Sequence, residues 1–419
     1  MSPIPVTGDQ RFVKHINRMA LLRLLRAEPG LSRANLAQRS GLTRSTVSLL
    51  IGELITEGWL IEEEVHVTGA RGRRPTPLGL DSSRIVLIGA ELAPDAICVV
   101  GTSLRGDVLE ASQAPLRSRE PDAACRQLIE MVTALSTRMA RSGARLLGIG
   151  VGLPGAVDKR SGALQFAPNI GWRDVAIGPR LGGELMAAGL GGVPLYFHNE
   201  ADLAAVGEVE FGGRMGDDPL VYVSCGVGVG AGISLHGALL TGATGSAGEI
   251  GHTTLVIDGR RCACGRLGCA EAYIGLRAIA SAAGCLRGGT IDRSLLRERM
   301  AARQARTRAA FARAGEFLGV LLQNSWTTFN PTVIALGGET ITLGGETFLD
   351  AASYVLDGVA ARLGVPAPAL RPARHADRAA AVGGAAYALH AILHPHQPAL
   401  HTHYRGVLSK TPRRSRSPR

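Results

Sequence analysis

The sequence has 419 residues, 46% hydrophobic and 19% charged, with a formal net charge of +11. That length exceeds one ordinary domain and points to two or three folded units with substantial cores. No apolar run reaches the roughly 18 residues of a membrane helix, which excludes a helical membrane span, and the positive balance suits an anionic partner. The opening stretch MSPIPVTGDQ lacks the apolar core of a secretory signal. The chain is therefore expected in the cytoplasm, with no membrane partner and with its seven cysteines reduced.

In chain order, Ile16, Met19, Leu22 and Leu25 recur at helical spacing and predict a first helix that ends at Pro29-Gly30. Ser32 is a natural N-cap for a short second helix through Gln38, and Gly41 supplies a tight turn. Thr43 caps a third helix whose Val47, Leu50, Ile51, Leu54 and Ile55 share one face. Helix, glycine turn and second amphipathic helix make a helix-turn-helix. Arg33 opens the first helix of that pair. On the other, Arg44, Ser45, Thr46 and Ser48 offer a long cation and small hydroxyls, suited to phosphates and base edges in a major groove.

The stretch LIEEEVHVTGARGRRPTPLGL then predicts a β-hairpin wing with Arg71, Arg73 and Arg74 at its tip. Arginines on a thin glycine-rich loop suit entry into a narrow, electronegative minor groove. Residues 1–82 are therefore expected to form a winged helix-turn-helix that binds double-stranded DNA, with a symmetric homodimer or homotetramer matching paired operator half-sites.

From about Arg84 short β-like runs broken by glycines alternate with alanine-rich helices. IVLIGAEL, RLLGIGVG, LVYVSCGVGVGAGISL and TVIALGG are strand candidates. Strand–turn–strand starts near residues 85 and 219 suggest a duplicated α/β unit, with a cleft between two lobes as a small-molecule site. In CACGRLGCAE, Cys262, Cys264 and Cys269 crowd a glycine-rich loop. An odd trio cannot close on itself as disulfides. The thiolates can hold Zn²⁺ in a tetrahedral site, with His252 of GSAGEIGH as the fourth ligand, or remain buried reduced cysteines. The tail from His396, with RRSRSPR at its end, lacks apolar periodicity and reads as disordered and basic.

GSAGEIGH together with CACGRLGCAE resembles the ROK family of repressors, open reading frames and kinases, and the likeness runs to about residue 395. It implies a two-lobed actin-like, sugar-kinase fold with duplicated ribonuclease-H-like lobes, over residues 83–210 and 211–395, behind the winged helix-turn-helix. It further implies a structural zinc ion on His252, Cys262, Cys264 and Cys269. The sugar-contacting residues it implies are Asn169, Asn199, Glu200, Glu249, His252 and Glu271. Carboxylates and amides of that kind each read sugar hydroxyls, which both donate and accept.

Two features set the chain apart from the family's kinases. The catalytic base position holds Glu200, after Asn199, where the family has Asp; Glu200 is thus a vestigial base. The first phosphate loop reads GAELAPDA, where Ala93 and Pro94 replace glycine-rich backbone and proline has no N–H to offer a phosphate. The expectation is a sugar- or sugar-phosphate-responsive DNA-binding regulator, most simply a repressor of carbohydrate-utilisation genes, without kinase activity. An ATP-dependent sugar kinase carrying a DNA-binding domain, or a DNA-binding module whose effector is a protein, are the alternatives.

Overall fold

The computed structural model describes residues 10–64, 76–158, 162–212 and 217–394. Arg71, Arg73 and Arg74 of the wing tip, and the tail from His396, lie outside the described residues. The chain opens with α1 (Gln10–Ala27), α2 (Arg33–Ser40) and α3 (Arg44–Thr56). Met19, Leu22 and Leu25 of α1 pack with Leu36 of α2 and with Val47, Leu50, Ile51 and Leu54 of α3 in one core. Ser32 caps α2 by accepting from the Asn35 N–H at 3.3 Å, while the Asn35 carbonyl oxygen accepts from the Ser32 N–H at 3.2 Å. The helix runs two residues beyond the expected end at Gln38, to Ser40, where left-handed Gly41 stops it. Thr43 caps α3 through the Thr46 N–H at 3.2 Å. The wing's strands, β1 (Leu60–Glu62) and β2 (Leu78–Leu80), pair antiparallel with Leu60 opposite Leu80.

Strands β3 (Ile85–Leu92), β4 (Ala96–Ser103) and β5 (Val108–Pro115) come next, followed by α4 (Pro121–Ala140) and β6 (Arg145–Leu153). A small antiparallel sheet of β7 (Ala156–Asp158), β8 (Ala163–Ala167) and β9 (Trp172–Ala176) leads to α5 (Ile177–Ala187), β10 (Leu195–Asn199) and α6 (Glu200–Glu210). The rest begins with β11 (Leu220–Cys225), β12 (Val229–Leu235) and β13 (Ala238–Leu239). The short helices α7 (Glu271–Ile274) and α8 (Leu276–Ala283) precede a two-strand hairpin, β14 (Leu286–Arg287) with β15 (Thr290–Ile291). Last come α9 (Arg293–Ala301), α10 (Ala305–Phe329), β16 (Val333–Gly337), α11 (Glu339–Leu363), β17 (Ala369–Pro372) and α12 (Ala379–Leu393).

The two large sheets repeat one plan. Their strand orders are β10-β6-β3-β4-β5 and β17-β16-β11-β12-β13. In each, an antiparallel three-strand meander is extended by two parallel strands on the far side of its first strand. The starts near residues 85 and 219 are thus the first hairpins of two copies of a ribonuclease-H-like unit.

Chain order does not decide which sheet a helix covers. α12, last in the sequence, lies on the first sheet so closely that a Cβ on Gly89 of β3 would stand 1.8 Å from the Ala381 carbonyl oxygen. α6 presents Ala201, Ala204 and Ala205 to Leu220 and Tyr222 of the second sheet. The two helices meet at Gly383, where an added Cβ would come within 2.0 Å of the Leu203 carbonyl oxygen. The centre of the molecule is therefore layered as sheet, α12, α6, sheet. Among the described residues no helix is long and apolar enough to cross a membrane.

Candidate functional site

The loop between β13 and α7 folds back on itself, with isolated bridges pairing Thr254 with Cys269 and Arg261 with Leu267. This brings the His252 Nδ1 to 3.6 Å from the Cys262 Sγ and the Cys264 Sγ to 3.7 Å from the Cys269 Sγ. All four donor atoms lie within 4.8 Å of one another. A tetrahedral ion with bonds of about 2.3 Å to sulfur and 2.0 Å to nitrogen sets its donors roughly 3.5–3.8 Å apart, so the residues fit a metal ion of that geometry. The thiols are not bonded to one another. Burial pushes the Cys262 thiol up. At Cys264 burial acts the same way, but hydrogen bonds from the Arg266 backbone and side chain outweigh it and hold this thiol below its ordinary value. The set therefore includes one thiol already inclined to ionise.

His252 of this cluster lines a cavity of about 510 Å³ between the lobes, and all six residues expected to touch sugar line it. Asn169 follows β8, Asn199 and Glu200 sit at the β10–α6 junction, and Glu271 opens α7 beside the last cysteine. Glu271 accepts from the Val229 N–H at 3.2 Å through one oxygen, while the other stands 3.5 Å from the Cys262 Sγ. Glu249 approaches the outer nitrogen of His252 at 3.8 Å. Its carboxyl is pushed up to about 7 by burial and by the Glu271 charge. Burial raises Glu200 well above the usual carboxylate range, and the Glu249 and Glu91 charges add to this.

Asn199 is already engaged. Its oxygen caps α6 by accepting from the Ala201 and Asp202 N–H groups at 2.8 and 3.2 Å, and its nitrogen donates to Glu200 at 2.9 Å. It positions Glu200 as much as it lines the cavity. Gln165 and Arg266 also line the wall and were missed in the sequence, because a lone glutamine or arginine in a loop has the pattern of solvated surface.

A second cavity, of about 720 Å³, adjoins the first across Glu200 and Gly228 and contains the altered phosphate loop. There the Ala93 N–H donates to the Ala96 carbonyl at 2.9 Å, within the β3–β4 turn. Arg293 of α9 reaches across the cleft to Asp95 at 2.5 Å and pairs with Glu339 of α11 at 2.8 Å. An ion pair between the lobes thus spans this cavity beside Pro94. Burial, with the Asp377 and Asp95 charges, pushes Glu91 up to about 7.

On α3, Arg44, Ser45 and Ser48 are exposed and Thr46 is half-buried. The Thr43 hydroxyl contacts the Ser45 and Thr46 hydroxyls at 2.9 and 2.8 Å. Arg33 pairs with Glu62 of the wing at 2.5 Å, tying α2 to β1. Leu49, absent from the sequence expectation, is 62% exposed beside Ser48. Such a group offers apolar contact to a thymine methyl.

The described geometry agrees with the comparisons. The ROK family model matches residues 91–391, and a winged helix-turn-helix DNA-binding model matches residues 15–61. The xylose repressor of Bacillus spizizenii is 31% identical over 334 residues, covering 80% of this chain and 85% of that protein. A glucokinase of Streptomyces coelicolor is 31% identical over 192 residues, which is 46% of this chain and 57% of the enzyme. The solved structure of a ROK family transcriptional regulator, a homologue of the E. coli MLC protein, superposes with a TM-score of 0.72 at 22% identity. It covers 91% of this chain and 97% of its own. A Streptomyces griseus glucokinase in complex with glucose and AMPPNP superposes with a TM-score of 0.60 at 24% identity over 72% of this chain and 98% of its own.

Proposed function

Because the chain belongs to the ROK family, we propose the function that its two ends support together, a sugar-responsive DNA-binding repressor of carbohydrate-utilisation genes. The observation that carries this is the pairing, in one chain, of a winged helix-turn-helix with a cavity lined by three carboxylates, three amides and a histidine. Relatives named xylose repressors match over 80% of the chain. DNA contacts fall to Arg44, Ser45, Thr46 and Ser48 of α3, to Arg33, and to Arg71, Arg73 and Arg74 of the wing, with a homodimer or homotetramer presenting paired units. A place in the cytoplasm, beside the genome, follows from that role. The domains are taken as 1–82, 83–395 and the basic tail 396–419, with lobes dividing near residue 210 except that α12 returns to the first sheet.

The Cys₃His cluster is read as a structural Zn²⁺ site. When bound, the ion would tie the loop that carries His252 to Cys269, two residues before Glu271. The protein's own groups do the rest: Glu249 and Glu271 accept from sugar hydroxyls, Asn169 donates, and Asn199 holds Glu200 toward the cavity. Sugar binding draws the lobes together and weakens operator affinity, a coupling for which about 1–3 kcal/mol suffices.

Phosphotransfer is the second reading, favoured by the glucokinase relatives and by the carboxylate retained at Glu200. Pro94 and the Asp95–Arg293 pair oppose it. ATP consumption dependent on a sugar would establish it.

The test of the proposed function is a thermal-shift screen of zinc-loaded protein against D-xylose, D-glucose, N-acetylglucosamine and their phosphates. A sugar at a hundred times its dissociation constant stabilises the fold by about 2.7 kcal/mol. One sugar should raise the melt and Glu249→Ala should abolish the rise. No shift with any sugar would turn the reading toward a protein effector.

A further inference from the structure

Helix α6 begins in the sugar cavity and ends on the DNA-binding unit. Its cap, Asn199, and its first residue, Glu200, line the cavity. Ten residues after Glu200, roughly 15 Å along the axis at 1.5 Å per residue, stands Glu210. There Arg26 of α1 pairs with the Glu210 carboxylate at 2.5 Å and donates to the Glu210 backbone carbonyl at 2.6 Å. The two side chains are only 14% and 11% exposed, and a desolvated ion pair is sensitive to geometry because losing one partner leaves a buried charge uncompensated.

The second helix of the central layer ends at the same place. His390 of α12 also contacts the Glu210 carboxylate, and the Leu393 carbonyl accepts from Arg23 of α1 at 3.0 Å. Because Gly383 leaves no room between α12 and α6, the two helices move as one body. On its other side α1 is fixed to α3, the helix that faces DNA, by Lys14–Glu53 at 2.6 Å and by Arg18–Glu57. Packed contacts therefore run without a break from Glu200 to the recognition helix.

We propose that α6 and α12 form a rigid coupler, and that the joint of Arg23 and Arg26 with Glu210, His390 and Leu393 transmits the state of the cavity to the DNA-binding unit. This rests on the sugar-responsive reading above. A displacement of Glu200 on lobe closure reaches Glu210 undiminished, since an α-helix shifts as a unit, and it arrives at α1 through a two-point contact with one guanidinium.

The test uses the full-length chain, a duplex selected by the protein from random DNA, and Arg26→Ala, Arg26→Lys and Glu210→Gln variants. Saturating D-xylose is expected to raise the wild-type dissociation constant for the duplex about tenfold, and the rise should fall below about threefold in Arg26→Ala and Glu210→Gln. The D-xylose melt shift should persist in both, and Arg26→Lys should recover part of the response. A full response in both variants overturns the coupler. If D-xylose moves neither melt nor operator affinity in wild type, that outcome counts against D-xylose as the effector, and a ligand-free arm decides the coupler. In that arm Asn199→Ala, which uncaps α6 at the cavity, should raise hydrogen–deuterium exchange in α1, and should not do so in the Arg26→Ala background. No effect on α1, or an equal effect in both backgrounds, overturns it.

Discussion

Cys264 differs from its neighbours in that hydrogen bonds from Arg266 hold its thiol below the ordinary value while burial raises the thiols of Cys262 and Cys269. Cys264→Ser should therefore reduce zinc content, measured by elemental analysis of purified protein, and should remove the sugar-induced melt shift while operator affinity is retained. Wild-type protein that purifies without zinc contradicts the assignment. Glu91 gives a pH signature. Its folded value of about 7 lies above the value near 4.3 expected for an unfolded glutamate. Its contribution to stability is thus fully present below about pH 4.3 and is lost as pH rises through about 7. Relative to Glu91→Gln, the wild-type melting temperature should fall across that window; parallel curves for the two proteins would contradict the assignment. Glu249, His252, Glu271 and the three clustered cysteines could be picked out in sequence because GSAGEIGH and CACGRLGCAE concentrate them in two short stretches. Leu49 and Arg266 were not, since a leucine on an amphipathic helix looks like core and a loop arginine looks solvated. The partner of Arg33, Glu62, lies 29 residues away and leaves no local trace.

At the scale of elements, caps and glycines carried the prediction well. Thr43 and Gly41 bound the turn between α2 and α3 as their chemistry requires, and α2 runs to Ser40, whose hydroxyl turns back to the Leu36 carbonyl at 2.6 Å. Of the run GVGVGAG at 226–232, the first three residues turn between β11 and β12, with the Gly226 N–H donating to the Gly228 carbonyl at 2.9 Å, and the rest lies in β12. What periodicity cannot report is the partner of a face. The alanine-rich stretch of α12 is buried along nearly its whole length, and nothing in that pattern says that it returns to the first sheet. Gly383→Ala tests the packing of α12 on α6. The added Cβ meets the Leu203 carbonyl at 2.0 Å, and such overpacking costs about 1–3 kcal/mol. The urea midpoint should drop accordingly; an unchanged midpoint would mean that the two helices are less closely joined than described.

For the whole molecule, the duplication was visible as two strand–turn–strand starts, and the shared strand order is its physical content. The exchange of helices between the sheets was hidden, as was the joint between α1, α6 and α12, because both depend on contacts between segments about 180 and 370 residues apart. That exchange is what places a helix with one end in the cavity between the lobes and the other on the helix-turn-helix unit. The account stands or falls on whether the two ends communicate. Fluorescence anisotropy of the full-length chain on its selected duplex, titrated with each sugar that raises the melt, measures this directly. The account predicts a sugar that raises the dissociation constant for DNA about tenfold, with the rise abolished in Glu249→Ala. Operator affinity unmoved by every sugar that stabilises the fold would contradict it.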